Sequence, residues 1–245
     1  MSVILKGELP LAEDHRVRVA RNRRDRMRAQ ILNSVMAVYS RVGFHNNVVI
    51  NDIIAHAKIS RGTFYKYFDS LEEAVSALGQ DMADEMTQGI LSVYDVLDDP
   101  ILRTATGFQT FLVRATFQPN WGGFIGRIGL LSSENLLTHK IQADIQLGVD
   151  RGVYRVKSID TATDLLMGAK KAAMLRIDAG DHDGDYVQTV TAMVLQAFGV
   201  RAKTAERQVR IAYDRLMLEA PGTIDWWPTE DTPAVRVLAR SLEER

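Results

Sequence analysis

Lys58-Ile59-Ser60-Arg61-Gly62-Thr63-Phe64-Tyr65-Lys66-Tyr67-Phe68 gathers cationic and hydrogen-bonding groups around two hydrophobic anchors. The spacing predicts a short helix that Ser60 opens, its hydroxyl accepting an N–H that has no partner inside the helix. Phe64 and Phe68 are four residues apart and share one face, whereas Arg61, Thr63, Lys66 and the hydroxyls of Tyr65 and Tyr67 project elsewhere. An element with one apolar side and a second side of donors and cations is chemically suited to phosphates and base edges.

The residues upstream must position that helix. Asn51-Asp52-Ile53-Ile54-Ala55-His56-Ala57 makes a second short helix with Ile53, Ile54 and Ala57 turned inward, and three residues lead from it into Ser60. Helix, tight turn and a second helix with an exposed polar face form a helix-turn-helix, whose second helix enters the major groove. On this reading Ser60, Arg61, Gly62, Thr63, Tyr65, Lys66 and Tyr67 face the groove, and Asn51 reaches a base or a phosphate. The residues alone also allow an ordinary helical hairpin with its aromatics in a core and its charges in water.

Four ordered elements within about 45 residues narrow the choice. They are Tyr39-Ser40-Arg41-Val42-Gly43-Phe44 at a helix end, Asp52-Ile53, the run from Ile59 to Phe68, and Glu72-Glu73-Ala74 opening the next helix. With these the stretch from Ala29 to Ala74 resembles the DNA-binding domain of the tetracycline-repressor (TetR) family of bacterial transcriptional regulators. Four departures stand out. Lys58 occupies a place where glycine usually makes the turn, so that turn is strained or differently shaped. Val48 and Val49 stand where hydroxyl residues often touch phosphate, the loop from Gly43 to Asp52 is one residue longer, and Leu71 replaces a lysine.

Charge is segregated along the chain. Residues 1–70 hold twelve Lys/Arg against six Asp/Glu, a balance of +6 that leaves −7 in the remainder of a chain whose net charge is −1. Seven arginines fall within residues 16–28, next to the motif. A basic end on an acidic body suits a protein that meets a polyanion at one end only. Residues 1–23 are expected to form a flexible basic arm, which either enters the minor groove or stays a solvated tail.

At 245 residues and 46% hydrophobic, the chain can bury a sizeable core. It has no cysteine, which excludes disulfides and thiolate metal sites. Val3-Ile4-Leu5 is too short an apolar run for a signal peptide, and no run is long enough to span a membrane, so a cytoplasmic protein without membrane contact is expected. The predicted fold is all-α: a three-helix DNA-binding domain over 24–70, then a helical ligand-binding and dimerisation domain over 71–245, with a C-terminal extension from about 200.

Asp69 and Glu72 have capping-box spacing ahead of a long helix, along which Leu71, Val75, Leu78, Met82, Met86, Ile90, Val93 and Leu97 form one stripe. Asp98-Asp99-Pro100 ends it and opens the next helix. Further helices are expected at 101–117, near 121–131, and at 134–150, 160–178, 185–198, 202–219 and 232–244. Residues 160–178 present Ala162, Leu165, Gly168, Ala169, Ala172 and Ala173, and 185–198 present Tyr186, Val190, Met193, Val194 and Ala197. The resemblance implies that these two helices pair with those of a second protomer; packing inside one protomer is the other reading.

Phe108, Phe111, Trp121 and Phe124, with Met82 and Met86, suggest an apolar cavity of a few hundred Å³, to which Arg103, Arg114, Gln118 and His139 add polar handles. The resemblance implies a small-molecule inducer there; the other reading, which each residue taken singly fits better, is a filled core. Gly122, Gly123, Gly126 and Gly129 lack phosphate-loop spacing and suit a closely packed helix. The acidic run from Asp178 to Asp185 lacks the glycine and glutamate that a calcium loop needs, and reads as a loop with no metal. Trp226-Trp227 suits pinning the tail to the body. Five scattered histidines and the lack of hydrolase or metalloprotease motifs argue against an enzyme, and no cofactor is expected. The resemblance implies a homodimeric repressor, released from a palindromic operator by a hydrophobic or aromatic inducer. The alternatives are a regulator without a ligand and an all-helical enzyme.

Overall fold

The structure, a computed structural model, describes residues 15–41, 48–94, 96–128 and 136–228. The expectations for residues 1–14, Gly43, Phe44, Gly129 and the segment 232–244 lie outside these. Every helix or strand among the described residues is an α-helix: α1 (His15–Arg41), α2 (Ile50–Ala57), α3 (Arg61–Tyr65), α4 (Leu71–Tyr94), α5 (Pro100–Phe117), α6 (Pro119–Ile128), α7 (Leu136–Asp150), α8 (Ile159–Asp178), α9 (Tyr186–Ala197) and α10 (Ala202–Glu219). None of them is long and apolar enough to cross a membrane.

The N-terminal head closes over one small core, in which Ile31 and Val35 of α1, Ile53 of α2 and Phe64 and Phe68 around α3 are all buried. The turn before α3 keeps a left-handed conformation without a glycine, Lys58 having φ 53° and ψ 45°. Its shape survives because the N–H groups of Lys58 and Ile59 donate to the Ala55 and Ile54 carbonyls at 3.4 and 3.2 Å. The left-handed backbone costs a lysine about 1–2 kcal/mol.

Two boundaries differ from expectation. The arm expected to end at residue 23 is helical from His15 onward, because arginine and alanine favour helix and α1 continues backward through them. Capping of α4 shifts by one residue: the Glu73 N–H donates to the Ser70 hydroxyl at 3.0 Å, and the Glu73 carboxylate receives the Asp69 N–H. Ser70 thus does the work expected of Asp69.

The body is built around α5. Asp99 caps it by accepting the Ile101 N–H at 2.8 Å, and Pro100 sits in its first turn. Most of its residues are buried on every side, since α4, α6, α7, α8, α9 and α10 all pack against it. The head meets this body through α4 and through α1 on α6, where Tyr39 and Phe124 stack edge to face at 5.9 Å. Gly122 and Gly126 let α6 approach closely: a Cβ would lie 2.9 Å from that of Ala115, or 2.7 Å from Leu175 Cδ2.

The tail folds back as its tryptophans suggest. Ile224 and Trp226 pack on Gly89 of α4, and Trp227 meets Phe117 edge-on at 5.2 Å. Ala162, Ala173 and Val194, expected at an interface between protomers, lie instead in the core of their own chain. The opposite edges of α8 and α9 expose Leu165, Gly168, Ala172, Met193 and Ala197.

Candidate functional site

The helix-turn-helix presents one polar face to solvent. Phe64 and Phe68 are 0% and 4% exposed and fix α3 to the head, leaving Arg61, Gly62, Tyr65 and Lys66 outside. Ser60 caps the helix, its hydroxyl accepting the Thr63 N–H at 3.0 Å and lying 2.8 Å from the Thr63 hydroxyl. Its hydroxyl is therefore largely committed to the fold. The Tyr65 ring stands edge-on to Phe64 at 5.7 Å, with the Arg61 guanidinium 6.0 Å from its centroid. Thr63 and Tyr67 are half-buried, and Asn51 is exposed in the first turn of α2.

Gly62 has no internal reason to be glycine. It lacks a positive φ, and a Cβ there would meet nothing nearer than the Ser60 hydroxyl at 3.9 Å. A helical glycine costs roughly 0.5–1 kcal/mol relative to alanine, so a cause outside the chain is indicated, such as a backbone that must approach closely. The exposed arginines of α1 extend the basic surface, but Arg28 does not join them. Its guanidinium binds Asp81 of α4 at 2.7 Å and lies 5.9 Å from the Phe68 ring, which ties α1 to the domain connection.

In the body, α4, α5, α7 and α8 enclose a cavity of about 40 Å³. Ile90, Phe108, Phe111, Leu137, Ile141 and Leu166 make its walls apolar, and Arg103, Thr104, Lys140, Asp144 and Lys170 supply polar groups. Arg103 pairs with Asp144 at 2.8 Å and also donates to the Leu97 carbonyl at 3.0 Å. Lys170 is 3% exposed, its Nζ has no hydrogen-bond partner, and it lies 3.9 Å from the centroid of the Phe111 ring. Burial pushes its ammonium down to about 7. The few hundred Å³ expected of this region is not found: the cavity has room for a few waters.

Of the residues expected at a ligand, Phe108 and Phe111 line this cavity. Met82, Met86, Trp121 and Phe124 are buried core outside its lining, and His139 is exposed while the next residue, Lys140, faces the cavity. Arg114 belongs to a different cluster. Its guanidinium lies between the rings of Trp121 and Trp226, at 4.5 and 4.8 Å, and donates to Glu85 at 2.6 Å. Burial lowers its pKa from the usual range, against the pull of Glu85.

A family model described as the tetracyclin repressor-like C-terminal domain matches residues 99–210. The fold also matches solved structures. RolR in complex with the ligand resorcinol is 26% identical, with a TM-score of 0.57 over 77% of this chain and 95% of that one. Residues 99–210 thus resemble the C-terminal domain of tetracycline repressors. Two more distant likenesses support the TetR fold alone: a TetR-family regulator from Shewanella sp. PV-4 (18% identity, TM-score 0.59, 71% of this chain and 99% of that one) and an ArpA-like gamma-butyrolactone receptor (14%, 0.57, 80% and 99%). No curated protein matches the chain in sequence.

The sequence reading missed Lys170, although a signal was there. The inward face of α8 runs Leu166, Lys170, Ala173, Met174 and Ile177, so a lysine occupies an apolar place in the helical period.

Proposed function

We propose that this protein is a homodimeric TetR-family repressor that binds a palindromic operator through α3 and releases it when a small hydrophobic or aromatic inducer enters the body. The observation that carries the reading is the exposed set Arg61, Gly62, Tyr65 and Lys66 around the buried anchors Phe64 and Phe68. The head is taken as residues 24–70, with the basic start of α1 as an extension over adjacent phosphates, and the body as 71–245. Leu165 and Met193, 46% and 64% exposed on neighbouring helices, support pairing of α8 and α9 with their copies about a twofold axis. A palindrome then receives two α3 helices roughly 34–36 Å apart.

Coupling follows from what lines the cavity. A ligand that displaces the walls acts on Ile90 of α4. The other end of α4, at Leu71, is buried in the same core as Phe64 and Phe68. A ligand that favours the widened body therefore favours a different spacing of the two heads, and lowers operator affinity through its differential binding. The resorcinol bound to RolR supports a small aromatic inducer.

Sequencing the DNA selected by the full-length protein tests this. A palindrome is expected, and Arg61→Ala or Tyr65→Ala should weaken its binding by about 1–3 kcal/mol with the dimer intact. Unchanged affinity in both variants would remove α3 from the interface. The small cavity favours a second reading, a regulator with a filled body; failure of every small molecule to shift operator binding would support it.

A further inference from the structure

We infer that the inducer is a small carboxylic acid, with an apolar, ring-sized body lying against Phe111 and its carboxylate received by the ammonium of Lys170. This rests on the reading that the body holds a ligand, and adds the ligand's chemical class.

Lys170 supplies the argument. An ammonium has three donors and no acceptor, and here it is buried with none of them used. Its one close favourable contact is the face of Phe111, 3.9 Å from Nζ to the ring centroid. A charge so placed is unfavourable until a counter-charge arrives. Among the described residues lining the cavity none provides one: Asp144 of α7 is held by Arg103 of α5 at 2.8 Å, Lys140 of α7 is itself cationic, and Ile90 of α4 is apolar.

Among the described residues, therefore, the cavity brings no carboxylate to Lys170. A cationic ligand would be repelled, and a neutral one would leave the buried charge uncompensated. An anion completes the site. Phosphate or sulfate is disfavoured by the aliphatic and aromatic walls, which suit a monoanion with an apolar body. Burial lowers the Lys170 pKa to about 7, and a bound carboxylate would restore the charged form, so binding above neutral pH should take up a proton.

Calorimetric titration of the full-length protein with benzoate and hexanoate, against benzamide, hexanamide and resorcinol, tests the inference at pH 6.5 and 8.5. Each acid should bind about ten- to a hundredfold more tightly than its amide, the usual effect of a hydrogen bond to a charged group. Lys170→Met should remove that preference while leaving the amides unaffected. For the acids, affinity should fall toward pH 8.5, with proton uptake visible when buffers of different ionisation enthalpy are compared. If Lys170→Met fails to fold, the acid-to-amide ratio and the proton uptake of the natural protein decide the matter alone. Amides or resorcinol binding as tightly as the acids would overturn the carboxylate assignment and leave the ligand reading standing. Binding of none of the five at millimolar concentration, with an operator complex indifferent to all, would overturn both.

Discussion

Replacing Lys170 with methionine should stabilise the ligand-free protein, and by an amount that depends on pH. The natural lysine titrates at about 10.5 when unfolded and about 7 when folded, with burial as the cause. Below pH 7 both states carry the proton, and the full penalty of burying it is present. At ~1.4 kcal/mol per pKa unit the difference corresponds to roughly 5 kcal/mol, from which the Phe111 ring recovers about 2 at most. Between pH 7 and 10.5 only the unfolded chain holds the proton, so the penalty shrinks by up to ~1.4 kcal/mol per pH unit as pH rises. Methionine keeps the length and removes the charge. Urea unfolding of both proteins at one protomer concentration, from pH 6 to 9, should show the variant more stable by about 3–5 kcal/mol at pH 6, with the gap closing above pH 7. A variant less stable than the natural protein at every pH, or a gap that does not change with pH, would refute the picture of an uncompensated buried ammonium.

Three further outcomes are expected. Gly62→Ala should raise folding stability by roughly 0.5–1 kcal/mol, because its methyl meets open space, yet weaken operator binding in an anisotropy titration; equal or tighter binding would remove the external reason for this glycine. Leu165→Glu with Met193→Glu should leave the helical circular dichroism intact and shift sedimentation from dimer to monomer, since both side chains are exposed within one protomer; an unchanged dimer would place the interface elsewhere. Trp226→Ala should cost about 3–5 kcal/mol in chemical unfolding, because the ring packs on Gly89 and covers the Arg114 guanidinium; a loss below 1 kcal/mol would mean that the tail does not pin the body.

The helix-turn-helix was legible in the chain because its determinants are local. Ser60 finds the N–H it caps three residues away, Phe64 and Phe68 share a face by helical period alone, and the charge excess of residues 1–70 is a matter of counting. The central helix was legible for a similar reason: Asp99 and Pro100 mark its start in any context. Local rules erred by small steps at boundaries, at Ser70 against Asp69 and at His15 against residue 23, where neighbouring residues could serve nearly as well.

The cavity required tertiary structure. Its walls come from α4, α5, α7 and α8, so proximity along the chain says nothing about which aromatic lines it and which fills the core. Phe111 and Phe124 are both fully or almost fully buried; the packing of α7 and α8 over α5 puts the first at the cavity, and that of α1 over α6 puts the second against Tyr39. Whether Arg103, Arg114 or Lys170 holds a spare charge depends in the same way on which carboxylate the fold brings within reach. Asp144 and Glu85 arrive for the two arginines from 41 and 29 residues away, and among the described residues no carboxylate arrives for the lysine.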